Sequence, residues 1–332
     1  MPAQRRIPPQ SFFLFLACLV MAAGVQAEAA SRWRRRQETP PGLASMRFEG
    51  RRRTYLVHLP PSFDRRTKRP LVLALPGGGG DAAHMVELTF GEFDRLADQE
   101  GFVVVYPEAV KFPFAKRNWN DGREFQEYPA QRLHVNDAGF LSALIDRLIT
   151  QLNVDPDRVY ATGISNGALM SNLLACEHAE QLAAIAPVAG SIAEPAAPRC
   201  HPSRPVSVLM INGTADPLVP WEGGSVHFGR KGLGTILSVS DTVAFWVRHD
   251  GCDPTPQRRD EPDRDPTDGT RVRRDAYSGC QGGAEVALYS VVGGGHTWPG
   301  GEQYLPASLV GRTSRDLDGT QAIWEFFRRH HR

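Results

Sequence analysis

Asp157-Arg158-Val159-Tyr160-Ala161-Thr162-Gly163-Ile164-Ser165-Asn166-Gly167-Ala168-Leu169-Met170 is the stretch on which the reading of this chain turns. A short run of β-formers ends in Gly163-x-Ser165-x-Gly167 and passes at once into a helix-compatible segment, the setting of a nucleophile elbow. A side chain at 163 or 167 would crowd a tight strand-to-helix turn that lifts the serine hydroxyl clear of the backbone. The helix that follows would aim its free N–H groups and positive end at the same point. The five-residue pattern also fits an ordinary Gly/Ser turn, so a base and an acid must be found elsewhere before Ser165 is read as a nucleophile.

Outward from the elbow, strands alternate with helices. Residues 54–59 alternate as a half-buried strand, and 71–75 and 102–107 are apolar on both faces, as central strands of a parallel sheet are. Residues 137–152 carry apolar side chains at helical spacing, with Asn136 or Asp137 as cap. Strands are expected again at 182–188, 206–211 and 286–292, and helices at 237–249 and 320–329. Residues 253–271, crowded with Pro, Asp and Arg, read as a surface excursion. This rhythm predicts an α/β fold with a mostly parallel central sheet covered by helices on both faces.

The strand at 71–75 runs into Pro76-Gly77-Gly78-Gly79-Gly80-Asp81, where glycines allow close backbone approach to a ligand. A dinucleotide loop is disfavoured, because G-x-G-x-x-G spacing and the later acidic residue are missing. Asn212-Gly213-Thr214-Ala215-Asp216-Pro217 directly follows a strand, which puts Asp216 at the sheet's carboxyl edge. Turn aspartates are common, so Asp216 gains weight only from its company. His296, in Gly293-Gly294-Gly295-His296-Thr297-Trp298-Pro299, follows the last strand, and of the ten histidines it alone is framed as a reacting group. The order Ser165, Asp216, His296 is that of an α/β-hydrolase triad. Backbone N–H groups of Asn166 and of Gly78 or Gly79 are the expected oxyanion donors. Trp119, in the long connection 108–136, and Trp298 are expected to wall a substrate pocket, although Trp119 reads equally well as the anchor of a packed surface turn.

Taken together, Gly77 to Gly80, Trp119-Asn120-Asp121-Gly122, Asp137-Ala138-Gly139-Phe140, the elbow, Ala186-Pro187-Val188-Ala189-Gly190, Gly213-Thr214-Ala215-Asp216-Pro217 and Gly294-Gly295-His296-Thr297-Trp298-Pro299-Gly300-Gly301 make the chain resemble the secreted poly(3-hydroxybutyrate) depolymerase and feruloyl esterase-like group of α/β-hydrolases. The resemblance covers roughly residues 45–330. It implies the α/β-hydrolase fold, the triad Ser165, Asp216 and His296, and ester hydrolysis with no cofactor and no metal. Pro76 departs from the group's pattern, which usually has histidine before the first loop glycine. No second polymer-binding module is expected, so soluble oligomers or small aromatic or acetyl esters are as plausible as a polymer surface. Hydroxyalkanoate (oligo)esters are the leading expectation, with a feruloyl or acetyl-xylan esterase as the alternative. A serine peptidase and a non-catalytic binding protein on a hydrolase fold are readings of other classes.

Residues 1–27 read as a secretory signal, with Arg5 and Arg6 before an apolar core and Val25-Gln26-Ala27 as cleavage site. The apolar stretch is too short for a confident span, so no stable membrane insertion is expected, and lipid anchoring at Cys18 is disfavoured. Residues 28–45 read as a flexible basic linker and 46–332 as one catalytic domain, a length one core can serve. The formal charge of +1 falls by two to −1 without Arg5 and Arg6, which calls for no nucleic-acid partner. Four cysteines remain beyond Cys18, an even number for an oxidising compartment. The expected pairs are local, Cys176 with Cys200 and Cys252 with Cys280. A zinc site is the competing use, but no C-x-x-C knuckle is present.

Overall fold

The computed structural model describes residues 42–332. The signal reading of 1–27, Cys18 and most of the expected linker lie outside the described residues. Strands β1 (Leu43–Phe48), β2 (Arg51–His58) and β3 (Arg69–Leu75) precede helices α1 (Ala82–Leu88) and α2 (Glu92–Glu100). Strand β4 (Val103–Pro107), helices α3 (Pro129–Arg132) and α4 (Asp137–Leu152), strand β5 (Val154–Ile164) and helix α5 (Asn166–Glu177) follow. Strands β6 (Ala184–Val188), β7 (Ser207–Gly213), β8 (Gly224–Phe228) and β9 (Lys231–Ile236) lead to helix α6 (Val239–His249). Strands β10 (Gln257–Asp260), β11 (Arg271–Tyr277) and β12 (Val286–Val292) and helices α7 (Ala307–Val310) and α8 (Gly319–Phe327) complete the order.

Ten strands form one sheet in the order β1-β2-β4-β3-β5-β6-β7-β12-β11-β10. Its centre, from β4 to β12, is parallel, and an antiparallel pair closes each side. The α/β-hydrolase architecture expected from the sequence is thus observed. The central strands explain it: Leu71, Leu73 and Leu75 enter one apolar layer with Phe140, Leu144 and Trp246, while Val72 and Ala74 enter the other with Phe93, Trp298 and Trp324. Each such side chain taken fully from water contributes about 1.5–3 kcal/mol, so a strand buried on both faces has one stable place, inside the sheet. Helix α4 begins where its cap predicts, with Gly139 N donating to Asn136 Oδ1 at 2.9 Å.

Two expectations are corrected. Leu43 to Ser45 are not linker; they pair with β2 residues Leu56, Tyr55 and Thr54 in an antiparallel ladder. The stretch 253–271 is no simple excursion, because Gln257–Asp260 adds an edge strand to β11. Charge hid it from a reading by hydrophobic period: the edge is held by ladder bonds and ion pairs such as Arg258 with Asp275 at 2.7 Å. Cys176–Cys200 and Cys252–Cys280 are disulfides, the first fastening the far end of α5. Among the described residues no helix is long and apolar enough to cross a membrane.

Candidate active site

Ser165 stands between β5 and α5 with φ 57° and ψ −121°, a conformation few non-glycine residues adopt. The turn is forced by its neighbours. A Cβ at Gly163 would lie 2.6 Å from the Leu75 carbonyl oxygen, and one at Gly167 would fall onto that same oxygen and within 2.7 Å of Pro76 O. Strand β3, the elbow and the first turn of α5 are therefore packed backbone to backbone. Ser165 N donates to Val188 O at 3.0 Å, and Leu169 N to Ser165 O at 2.9 Å, which holds the residue at both ends.

Asp216 and His296 are brought into direct contact. His296 Nδ1 lies 2.7 Å from Asp216 Oδ2, with both side chains buried. The other carboxylate oxygen accepts Leu218 N and Val219 N, each at 2.8 Å. An acceptor so placed makes Nδ1 the protonated nitrogen of the neutral ring and leaves Nε2 as its proton acceptor. His296 is held through its backbone by N–H donation to Val310 O and by Tyr304 Oη, which donates to its carbonyl at 3.0 Å.

Among the described residues no hydrogen bond joins Ser165 Oγ to His296 Nε2. What brings these residues to one edge is the strand order β5-β6-β7-β12, since each follows the carboxyl end of its strand. The edge is stitched from one end to the other: Ala189 N donates to Ile211 O, Asn212 Nδ2 to Gly190 O, and Ala215 N to Gly294 O. A Cβ at Gly190 would lie 3.2 Å from Ser165 O, so the serine turn and the loop beside it are in contact. In free hydrolases the serine–histidine link is commonly long and tightens when substrate binds.

Gly78 lies beside the first residue of α5: a Cβ there would be 3.7 Å from the Asn166 Cβ and 2.7 Å from Asn118 Oδ1. Its N–H and that of Asn166 have no backbone acceptor among the described residues. Gly79 is different. Its N–H donates to Arg117 O at 2.7 Å and is not free to bind a ligand, which removes it from the expected oxyanion donors.

Trp119 and Trp298 do not wall a pocket. Each is 1% exposed, Trp119 with its indole N–H on Pro76 O at 3.0 Å and Trp298 with its own on Thr320 Oγ1 at 3.0 Å. An indole whose one donor is satisfied and whose face is packed belongs to the core.

Behind the elbow lies a buried polar cluster that no motif in the sequence announces. Asp121, fully buried, accepts from Arg123, Gln131 and the Asn166 side chain. Asp137, also buried, accepts Asn120 N at 2.7 Å and pairs with Arg53 at 2.6 Å. Burial pushes the Asp137 carboxyl above its ordinary range, an effect that Arg53 opposes. A capping role is the only one the local sequence suggests for Asp137. Among the described residues no group of His, Cys, Asp and Glu is placed to hold a metal.

Known proteins resemble this chain in sequence and in fold. A model of the Esterase PHB depolymerase family matches residues 53–210, which include the serine turn. A protein provisionally named as an esterase, NocK of Nocardia uniformis subsp. tsuyamanensis, is 34% identical over 285 residues, 83% of this chain and 79% of that protein. Feruloyl esterase B of Piromyces equi is 27% identical over 74% of this chain, which spans 42% of that longer protein. Among solved structures, the acetyl xylan esterase from Aspergillus awamori superposes with a TM-score of 0.53 at 15% identity, over 83% of this chain and 93% of that one, a likeness of fold.

Proposed function

The chain belongs to the Esterase PHB depolymerase family, carboxylic-ester hydrolases of the α/β-hydrolase fold, and we propose that within it the chain is a secreted serine esterase using Ser165, His296 and Asp216. The observation that carries this reading is the 2.7 Å Asp216–His296 contact at the sheet edge that also bears the strained serine turn. Ser165 Oγ attacks the ester carbonyl carbon while His296 Nε2 takes its proton. The carbonyl oxygen, now negative, accepts from the N–H groups of Asn166 and Gly78, each such donor being worth about 3–4 kcal/mol in comparable sites. Collapse breaks the carbon–alkoxy bond, His296 hands its proton to the leaving alcohol, and water repeats the sequence to free the acid. Asp216 keeps the imidazole in the right tautomer and offsets its positive charge. No cofactor enters this chemistry.

The substrate proposed is a hydroxyalkanoate (oligo)ester. Its support is the apolar side chains left exposed beside the loops of the site: Phe228, 54% exposed, with Lys116 Nζ 5.9 Å from its ring centre, and Leu309, 55% exposed, next to the residue that holds His296 N. The Lys116 side chain in turn lies against Gly79. An acyl chain of methylated, uncharged repeats suits such a rim. A plant-wall ester is the second reading, favoured by the name of the Piromyces relative. Hydroxybutyrate trimer, methyl ferulate and acetylated xylo-oligosaccharides compared on one preparation decide between them. The highest kcat/KM is expected for the trimer, and a preference for methyl ferulate or the acetylated sugars overturns that assignment. Export is supported by the two disulfides, and the exported protein is expected to begin near residue 28.

A further inference from the structure

We infer that the Asn166 side chain and Trp119 are positioning residues that fix the two halves of the oxyanion site to a single buried loop, an inference that rests on the serine-esterase reading above. The two donors, Asn166 N–H and Gly78 N–H, come from different elements, the start of α5 and the loop after β3. Their separation must hold to a fraction of an ångström, because the oxyanion stabilisation depends on donors already in place.

The segment 119–123 reaches both elements. Toward the helix, the Asn166 carboxamide is used at both ends: Oδ1 accepts Trp119 N at 2.7 Å, and Nδ2 donates to Asp121 Oδ2 at 2.5 Å and to Trp119 O at 3.3 Å. Toward the glycine loop, Trp119 Nε1 donates to Pro76 O at 3.0 Å, two residues before Gly78. One residue, Trp119, therefore holds the helix start with its backbone and the loop with its ring.

The clamp is itself anchored. Asp121 is gripped by Arg123 at 2.8 Å and by Gln131 at 3.0 Å, Arg123 also donates to Leu233 O at 3.0 Å, and Asn120 N is held by Asp137. Asn166, Trp119, Asp121 and Arg123 are all buried, so these bonds act away from water, where an unmade one costs most. Neither side chain touches the reacting atoms; what they set is where two backbone N–H groups point.

Two variants test this. N166A keeps the backbone N–H and removes the clamp on the helix side; W119F keeps an aromatic ring and the backbone bonds of residue 119, and removes the bond to Pro76 O together with the five-membered part of the indole. Hydrolysis of a soluble ester is measured per serine titrated with a fluorophosphonate, so unfolded protein does not count, and affinity for a trifluoromethyl ketone reports the tetrahedral state. N166A is expected to lower kcat about 10–100-fold and W119F about 3–10-fold, with KM within about threefold. Ketone affinity should fall by the same factor as kcat/KM, and the double variant should lose less than the product of the two because they share one loop. If N166A does not fold, W119F alone carries the test. The inference is overturned if per-site kcat and ketone affinity stay within twofold in the variants that fold, or if the loss is confined to the titratable fraction or to KM. S165A is run beside them: hydrolysis that survives S165A refutes the serine-esterase reading, whereas its loss with unchanged N166A and W119F refutes only the clamp.

Discussion

His296 Nδ1 and Asp216 Oδ2 are 2.7 Å apart although 80 residues separate them in the chain. Neither loop could hold this contact alone. Asp216 is fixed by two backbone N–H groups of its own turn, and His296 by Val310 O and Tyr304 Oη on the opposite side. The pair is thus set by the sheet edge, and in the proposed mechanism its job is to leave Nε2 able to take a proton. Asp216→Asn would keep the shape and present the wrong group to Nδ1. Ester hydrolysis should then fall by about 10⁴-fold in kcat, with KM and thermal stability little changed. Steady-state kinetics of the purified variant check this, and a loss under tenfold would deny Asp216 the role assigned.

Gly167→Ala tests the serine turn. The added methyl would meet the Leu75 and Pro76 carbonyl oxygens, and neither strand β3 nor the loop beyond it can yield without moving the elbow. A destabilisation of about 1–3 kcal/mol is expected in urea unfolding, together with a fall in kcat. An alanine tolerated in both measurements would mean that the turn is looser than its contacts require.

Asp250 sets a dependence of stability on pH. Burial lifts its carboxyl from 3.8 to about 6, against the pull of His249, 2.7 Å away, and of Val206 N. Because the folded value is raised, the group's stabilising contribution is complete below the unfolded value and is lost as pH rises through about 6. Asp250→Asn has no such charge to bury. Relative to the wild type it should therefore gain stability between about pH 4 and pH 7, by up to about 3 kcal/mol. Urea unfolding of both proteins at the two pH values measures this, and a difference independent of pH would contradict it.

Much of the fold was legible because the central strands are apolar on both faces and the glycines mark where backbones cross. The edge strands were not, since Gln257–Asp260 carries charge where a reader looks for hydrophobic period. Ser165, Asp216 and His296 stood out because each follows a strand and has a glycine within three residues before it. The tryptophans misled for a different reason: an aromatic ring that fills a core and one that walls a cleft have the same local sequence, and only the partner of the indole N–H separates them. Gly79 was unreadable too, as its acceptor is a main-chain carbonyl, Arg117 O, which any residue could supply. The Asp121–Asn166 bond joins residues 45 apart by two common side chains, a pairing that no short motif records.

The most direct test of Ser165 as nucleophile is Ser165→Ala on the purified protein, assayed with a p-nitrophenyl acyl ester, with circular dichroism to establish that the fold persists. A fall in kcat on the order of 10⁴–10⁶-fold in a folded protein is expected. Hydrolysis at an unchanged rate would contradict it.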